Sequence, residues 1–516
     1  MEQNKGHQLV NLSFLLLGYI VDRLPNIDKI CFSLACKRWF ENKDRYLIFN
    51  VDDIGMIDNE QNKTSSFHLK SYQSIYLKSH QLRTNLTLFI GKKSCCPPTN
   101  LYLDNDILNT LDSLQPNITS VMIDETINHN MQTVEIDSYH LCRLLSTSNV
   151  TELRCCRTLT GKLPDSIRVL SFYNDFNEVV KRNSLPSGLK VLELKDPFNK
   201  PIDVGILPEG LERVEFGRRY SHPIGPGILP RTLKHLDLGG NLSTLLAGSL
   251  PPNLEVLIFS SAKDQPIISL PTSLHTIYWL PATFIPSLEK LPNLTTLTTY
   301  EGTGLSGVIN DLPPTLTDLT VGRKYQLLSA MPPSIRYLNL DRCTYDYGQL
   351  FPETTQYRLQ QLVAQRFPAQ KPNLQILNLM LMRGVNNPTF TEGAESLDMT
   401  FNLHNTLSAK AVPKSIKLLK MYSMDSLDSI PTSIETLEIF NRWKSLSKPL
   451  PPALRNIVYI EVSGLKRCDI RRLDDNCFLV IGQPPMMKSS KKFPYGYTMA
   501  MFNQSEFKDR FYQTNK

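Results

Sequence analysis

Residue types that do chemistry are present in this 516-residue chain, but not in the arrangements that chemistry needs. Its nine histidines stand apart, none four residues from another, and His235 and His275 flank apolar strand patterns where an imidazole decorates a surface more readily than it serves as a base. The ten cysteines fall into two adjacent pairs, Cys95-Cys96 and Cys155-Cys156, and six singles, with no C-x-x-C and no histidine at zinc-finger distance. A glycine-rich phosphate loop, H-E-x-x-H, G-x-S-x-G and a metal-ligand cluster are all missing. No enzyme activity, cofactor or metal is therefore expected. What remains is recognition chemistry: aromatic rings and carboxylates set in rows on a surface that another protein can cover.

Rows of that kind need a scaffold that repeats. One ten-residue text, L-P-x-x-L-x-x-L-x-hydrophobic, recurs through most of the chain. Its prolines stand at Pro164, Pro186, Pro208, Pro230, Pro251, Pro271, Pro292, Pro313 and Pro332, 19 to 22 residues apart, and then at Pro372, Pro413, Pro431 and Pro451. The two double-length gaps predict degenerate units near Pro352 and Leu397, and a helical stripe over residues 354–367 predicts a short helix there. Each proline fixes φ and removes an N–H donor just ahead of a strand. Alternation along Leu189 to Leu194 turns Leu192 and Leu194 inward and Val191 and Glu193 outward. The outward row then reads Ser171, Glu193, Glu215, Asp237, Ile258, Tyr278, Thr298, Thr320, Asn339, Asn378, Lys420, Glu438 and Val458. Neighbouring outward positions add Tyr173, Tyr300, Tyr337 and Phe440. The expected target-binding residues are Tyr173, Glu193, Glu215, Asp237, Tyr278, Tyr300, Tyr337 and Phe440, and three successive acids predict a basic element in the bound protein.

Units of this length carrying L-x-x-L-x-L resemble leucine-rich repeats, each giving one short parallel strand. Between strands lies a second text, Phe176-Asn177-Glu178-Val179-Val180, Phe198-Asn199-Lys200-Pro201-Ile202 and Tyr220-Ser221-His222-Pro223-Ile224. It resembles the FNIP repeat of the leucine-rich-repeat class, closely over residues 163–241 and more weakly to about residue 460. The resemblance implies an α/β fold: a leucine-rich-repeat-like solenoid of about fifteen turns with a curved parallel sheet. A unit so small cannot bury its apolar face alone, so neighbours must stack and the ends must be capped.

Ahead of the repeats, residues 12–40 place Leu16, Ile20, Leu24-Pro25, Asp28, Leu34 and Cys36-Lys37-Arg38-Trp39 in order. This segment resembles an F-box, except that Asn11-Leu12 stands where the family opens its first helix with Leu-Pro. The resemblance implies a small helical domain that binds a Skp-type adaptor, and through it a cullin, by Leu16, Ile20, Leu24, Pro25 and Trp39. Read from the residues alone, the segment is two or three short helices. Ser13 and Asp28 can cap their starts, and Trp39 fits a core that merely caps the solenoid.

The expected organisation is an F-box-like helical domain over 1–50, a linker and cap over 51–110, the solenoid over 111–465, and a cap with a basic tail over 466–516. A net charge of +7 spread along the chain is short of a nucleic-acid footprint, and no run reaches the length of a membrane span. Unpaired cysteines favour a reduced cytoplasmic or nuclear location. The expected function is the substrate-recognition adaptor of a Skp-cullin-F-box ubiquitin ligase, with an unidentified protein as target. The alternative is a free-standing repeat scaffold without ubiquitin transfer.

Overall fold

The computed structural model describes residues 12–50, 66–67, 69–82, 85–91, 101–103, 108, 110–124, 138–156, 163–173, 175–239, 245–259, 268–299, 307–341, 343–364, 371–382, 390, 393–400, 407–423, 428–440, 449–460, 467–482 and 498–511. They form a parallel β-solenoid with few helices, divided into two compact units, Thr84–Ile376 and Met1–Arg83 with Leu377–Lys516.

The turn of the Thr84–Ile376 unit follows from its proline. The Pro186, Pro208 and Pro230 carbonyls accept from the N–H three residues on, those of Leu189, Leu211 and Leu233, at 3.0–3.1 Å. Those leucines are the first inward residues and are fully buried. The next residue crosses to the turn before: Glu212 N donates to Lys190 O and Lys234 N to Glu212 O, both at 2.9 Å. Short strands follow, among them Val191–Leu194, Arg213–Phe216, His235–Asp237, Val256–Ile258, Thr276–Leu280, Thr296–Thr299, Asp318–Thr320 and Tyr337–Asn339, each parallel to the next.

The text between strands builds two further ladders. Phe176, Phe198 and Tyr220 stack one per turn, with centroids 5.8 and 5.9 Å apart and rings within 5° of parallel. Beside them Asn177 Oδ1 accepts from Asn199 N at 2.9 Å, and Asn199 Oδ1 from Ser221 N at 3.0 Å. Third, a short polar side chain just after the proline binds carbonyls of the previous turn: Ser273 Oγ donates to Pro252 O and Leu254 O, and Ser334 Oγ to Leu316 O, each at 2.7 Å. These hydroxyls satisfy carbonyls of the previous turn just ahead of each strand.

Two expectations are corrected here. Residues 354–367 do not hold a helix: Tyr357–Ala364 is a strand whose Gln361, Leu362 and Val363 pair with Tyr337, Leu338 and Asn339. Leu359, Leu362 and Val363 follow helical spacing while Tyr357 and Leu359 alternate as in a strand, and the open sheet edge supplies hydrogen bonds that only a strand can take. A one-turn helix lies upstream at Tyr347–Leu350, capped by Asp346 accepting from Gln349 N at 3.0 Å. In the other unit, the row through Lys420 continues to Asp398 and Met380, not to Asn378, which pairs with Ser396.

That second unit holds the strands Ser396–Met399, Leu418–Met421, Thr436–Ile439 and Asn456–Ile460 in parallel. The sheet then changes sense. Arg467–Arg472, Cys477–Gly482 and Thr498–Asn503 run antiparallel, followed by the helix Gln504–Phe511, whose Phe507 stacks on Phe478 at 4.0 Å. The N-terminal helices α1 (Phe14–Asp22), α2 (Asn26–Leu34), α3 (Lys37–Glu41) and α4 (Gln73–Gln81) belong to the same unit. Leu17, Val21, Ile30, Trp39 and Tyr72 share one core with Leu479 and Ile481. Ser13 caps α1 through Leu16 N at 3.3 Å as expected, whereas Asp28 caps nothing: the residue before α2 is Pro25, and Asp28 pairs with Arg471.

Candidate interaction surfaces

The outward row of the sheet has the expected register from Ser171 through Glu193, Glu215, Asp237 and Ile258 to Tyr278. Two of its acids are paired within the chain. Lys195 Nζ lies 3.0 Å from Glu193, and Arg213 forms a hydrogen-bonded ion pair with Glu215. Partial burial works against the charged form of Glu193, but hydrogen bonds from Lys195 and Ser171 outweigh it and hold the carboxyl below its usual range. Asp237 accepts from Gly239 N at 2.9 Å. Two of the three acids are thus matched by cations within their own segment. At the edge of the strands charges alternate turn by turn, with Lys190 2.8 Å from Glu212, which likewise closes on itself.

The aromatic residues divide. Tyr173 and Phe440 sit partly buried just past the strand ends Phe172 and Ile439, in different units, while Tyr300 lies outside the described residues. Tyr278 and Tyr337 are 38% and 48% exposed. Beside Tyr278 stands a residue that alternation would turn inward, Trp279. Here the register shifts between Ile277 and Leu280, Leu280 takes the buried place opposite Thr299, and Trp279 is thrown outward at φ 58°, 41% exposed. A left-handed tryptophan in a strand carries backbone strain, which collects at working surfaces. The signal was present as two adjacent aromatics before a leucine, but simple alternation reads past it.

A second surface lies on α1. Leu17 and Val21 are buried in the core, while Leu16 and Ile20 face outward with Leu15 and Tyr19, the four being 46–86% exposed. Pro25 is exposed and Leu24 partly buried. Trp39 lies elsewhere: it is 8% exposed, stacked on Phe32 at 4.2 Å, so its ring serves the core. Among the described residues no cluster of three metal-ligating side chains occurs, and no helix is long and apolar enough to cross a membrane.

One strand per turn in a parallel stack, with exposed side chains in register, defines a repeat solenoid of the leucine-rich-repeat class. Residues 158–196 and 198–241 match the family described as FNIP Repeat. A search of the curated proteins finds no match. Among solved structures, CroV588, titled a novel circular LRR protein, aligns with 72% of this chain and 66% of its own at 17% identity and a TM-score of 0.38. YopM from Yersinia enterocolitica WA-314 aligns with 70% of this chain and 77% of its own at 19% identity and a TM-score of 0.35.

Proposed function

We propose that the protein is a substrate-recognition adaptor of a Skp-cullin-F-box ubiquitin ligase, with the N-terminal helices engaging a Skp-type adaptor and the repeats holding the protein to be modified. The observation that supports it is the outward face of α1, where Leu15, Leu16, Tyr19 and Ile20 lie exposed while the opposite face is packed. Contiguous apolar surface on so short a helix is what a partner groove covers. Leu16 and Ile20 are also residues for which the F-box resemblance implies adaptor contact.

The test uses the full-length chain and a purified Skp-type adaptor. Capture is expected with the native protein and loss with Leu16→Glu, Ile20→Glu, both on exposed positions that leave the core intact. Equal capture by both proteins, or none by either, would rule the reading out.

A second reading is favoured by the core that α1–α3 share with Leu479 and Ile481. In it the helices are an end cap, and the protein is a scaffold without ubiquitin transfer. Absence of adaptor capture together with target binding by the repeats would select it.

A further inference from the structure

We propose that the outward face of the four strands from Thr276–Leu280 to Tyr337–Asn339 binds an extended, lysine- or arginine-bearing segment of the target, one cation seated at Asp318 and Tyr337 and the chain continuing over Tyr278 and Trp279. This rests on the reading of the repeats as the protein-binding part, and is independent of what α1 binds.

The charge argument singles out Asp318. Unlike Glu193 and Glu215, it has no cation within ion-pair distance among the described residues; its one partner is the Thr317 hydroxyl, which donates to Oδ2 at 2.5 Å. Arg336, next to Tyr337 in sequence, is turned to the Pro333 and Ile335 carbonyls at 3.2 and 3.0 Å. The register places Asp318 directly between Thr296 and Tyr337, opposite in sense to the buried Leu297, Leu319 and Leu338. Asp318 therefore stands on the outer face beside a half-exposed ring. A carboxylate next to a π-face is complementary to a cation: the charge pairs with one and lies over the other.

The rest of the face is uncharged and aromatic. Thr276, Thr296, Thr298, Thr320 and Asn339 supply hydrogen-bonding groups between the rings. Three strand spacings and a two-residue step along the strand separate Tyr278 from Tyr337, about 16 Å, which is the reach of about five extended residues. The bulge adds one more ring to this strip, and tryptophan and tyrosine are the residues that anchor interfaces.

The test measures fluorescence anisotropy of a labelled dodecapeptide alternating threonine and lysine on the full-length protein, against a twin alternating threonine and glutamate. The lysine peptide is expected to bind and the glutamate peptide not. Asp318→Asn should weaken binding about tenfold and Asp318→Lys abolish it, with Trp279→Ala and Tyr337→Ala each weakening it several-fold. Glu178→Gln, an exposed change away from this face, should leave binding unchanged. Thermal melts confirm that each variant is folded. Binding of both peptides alike, no binding of the lysine peptide, or indifference to Asp318→Lys would overturn the proposal. Adaptor capture measured on the same variants separates the two readings: it should survive Asp318→Lys, and its failure leaves the peptide result standing.

Discussion

Arg471 donates to Asp28 across 443 residues of chain, joining α2 to an antiparallel strand near the far end of the sequence. Both side chains are about one-third exposed or less, and around them Leu17, Ile30 and Trp39 pack with Leu479 and Ile481. The N-terminal helices therefore have their core completed by distant residues. Their apolar face on α1 is presented by a fold that they do not make alone.

Replacing Arg471 by Met removes the cation and leaves Asp28 partly buried without its partner. The cost lies between that of a surface pair and that of a buried one, about 1–2 kcal/mol. Urea unfolding of the single variants and the double variant with Asp28→Ala would isolate the pair. A fragment of residues 1–60 lacks Tyr72, Leu479 and Ile481 and is expected to give the circular dichroism of an unfolded chain.

In the aromatic ladder, Phe198 is fully buried between Phe176 and Tyr220. Phe198→Ala should cost about 3–5 kcal/mol because the cavity opens between two turns that cannot collapse independently. Phe198→Leu should recover much of it. Stability measured by denaturant midpoint decides, and an alanine variant within 1 kcal/mol of the parent would mean that the stack contributes little.

The solenoid was legible because each turn repeats one physical requirement: a proline-opened turn, inward leucines two apart, and a ring with an asparagine between strands. Leu211, Val214 and Phe216 can be placed inside from the sequence alone, since neighbouring turns say the same thing. Local departures from the repeat are not carried by its pattern. The bulges at Cys155 and Trp279 break the alternation, residues 357–364 satisfy a strand's neighbours rather than their own helical stripe, and Asp28 finds Arg471 at a separation no local pattern encodes. The acids of the outward row were visible, but their lysine and arginine partners two residues away on the same strand face were not weighed against them.

Ser334 tests the polar lock between turns. Its hydroxyl donates to Pro314 O at 2.8 Å and Leu316 O at 2.7 Å. Ser334→Ala should lower stability by about 1 kcal/mol, with Ser334→Thr near neutral, as Thr232 and Thr315 already hold the same place. Denaturant titration of the pair checks this.

Glu193 gives a pH signature. Its folded value lies below the ordinary 4.5, so the carboxylate's contribution is complete above that value and is lost as pH falls through the lowered folded value. Glu193→Gln should flatten the acid limb of the stability profile and leave the limb above pH 6 parallel to that of the parent. Superimposable acid limbs would mean that Lys195 and Ser171 do not hold the charged form.

Trp279 separates strain from recognition. In an ordinary strand glycine is the poorer residue, by about 0.5–1 kcal/mol against alanine. At φ 58° the order should reverse, because alanine retains the clash between Cβ and the backbone while glycine does not. Trp279→Gly is therefore expected to be about 1 kcal/mol more stable than Trp279→Ala, while both lose the exposed ring and bind the lysine peptide equally poorly. Melting curves and anisotropy on the two variants give the two readings independently. Alanine the more stable would show that the strand relaxes once the ring is gone, and the outward turn would then belong to the tryptophan side chain rather than to a backbone held by the neighbouring strands.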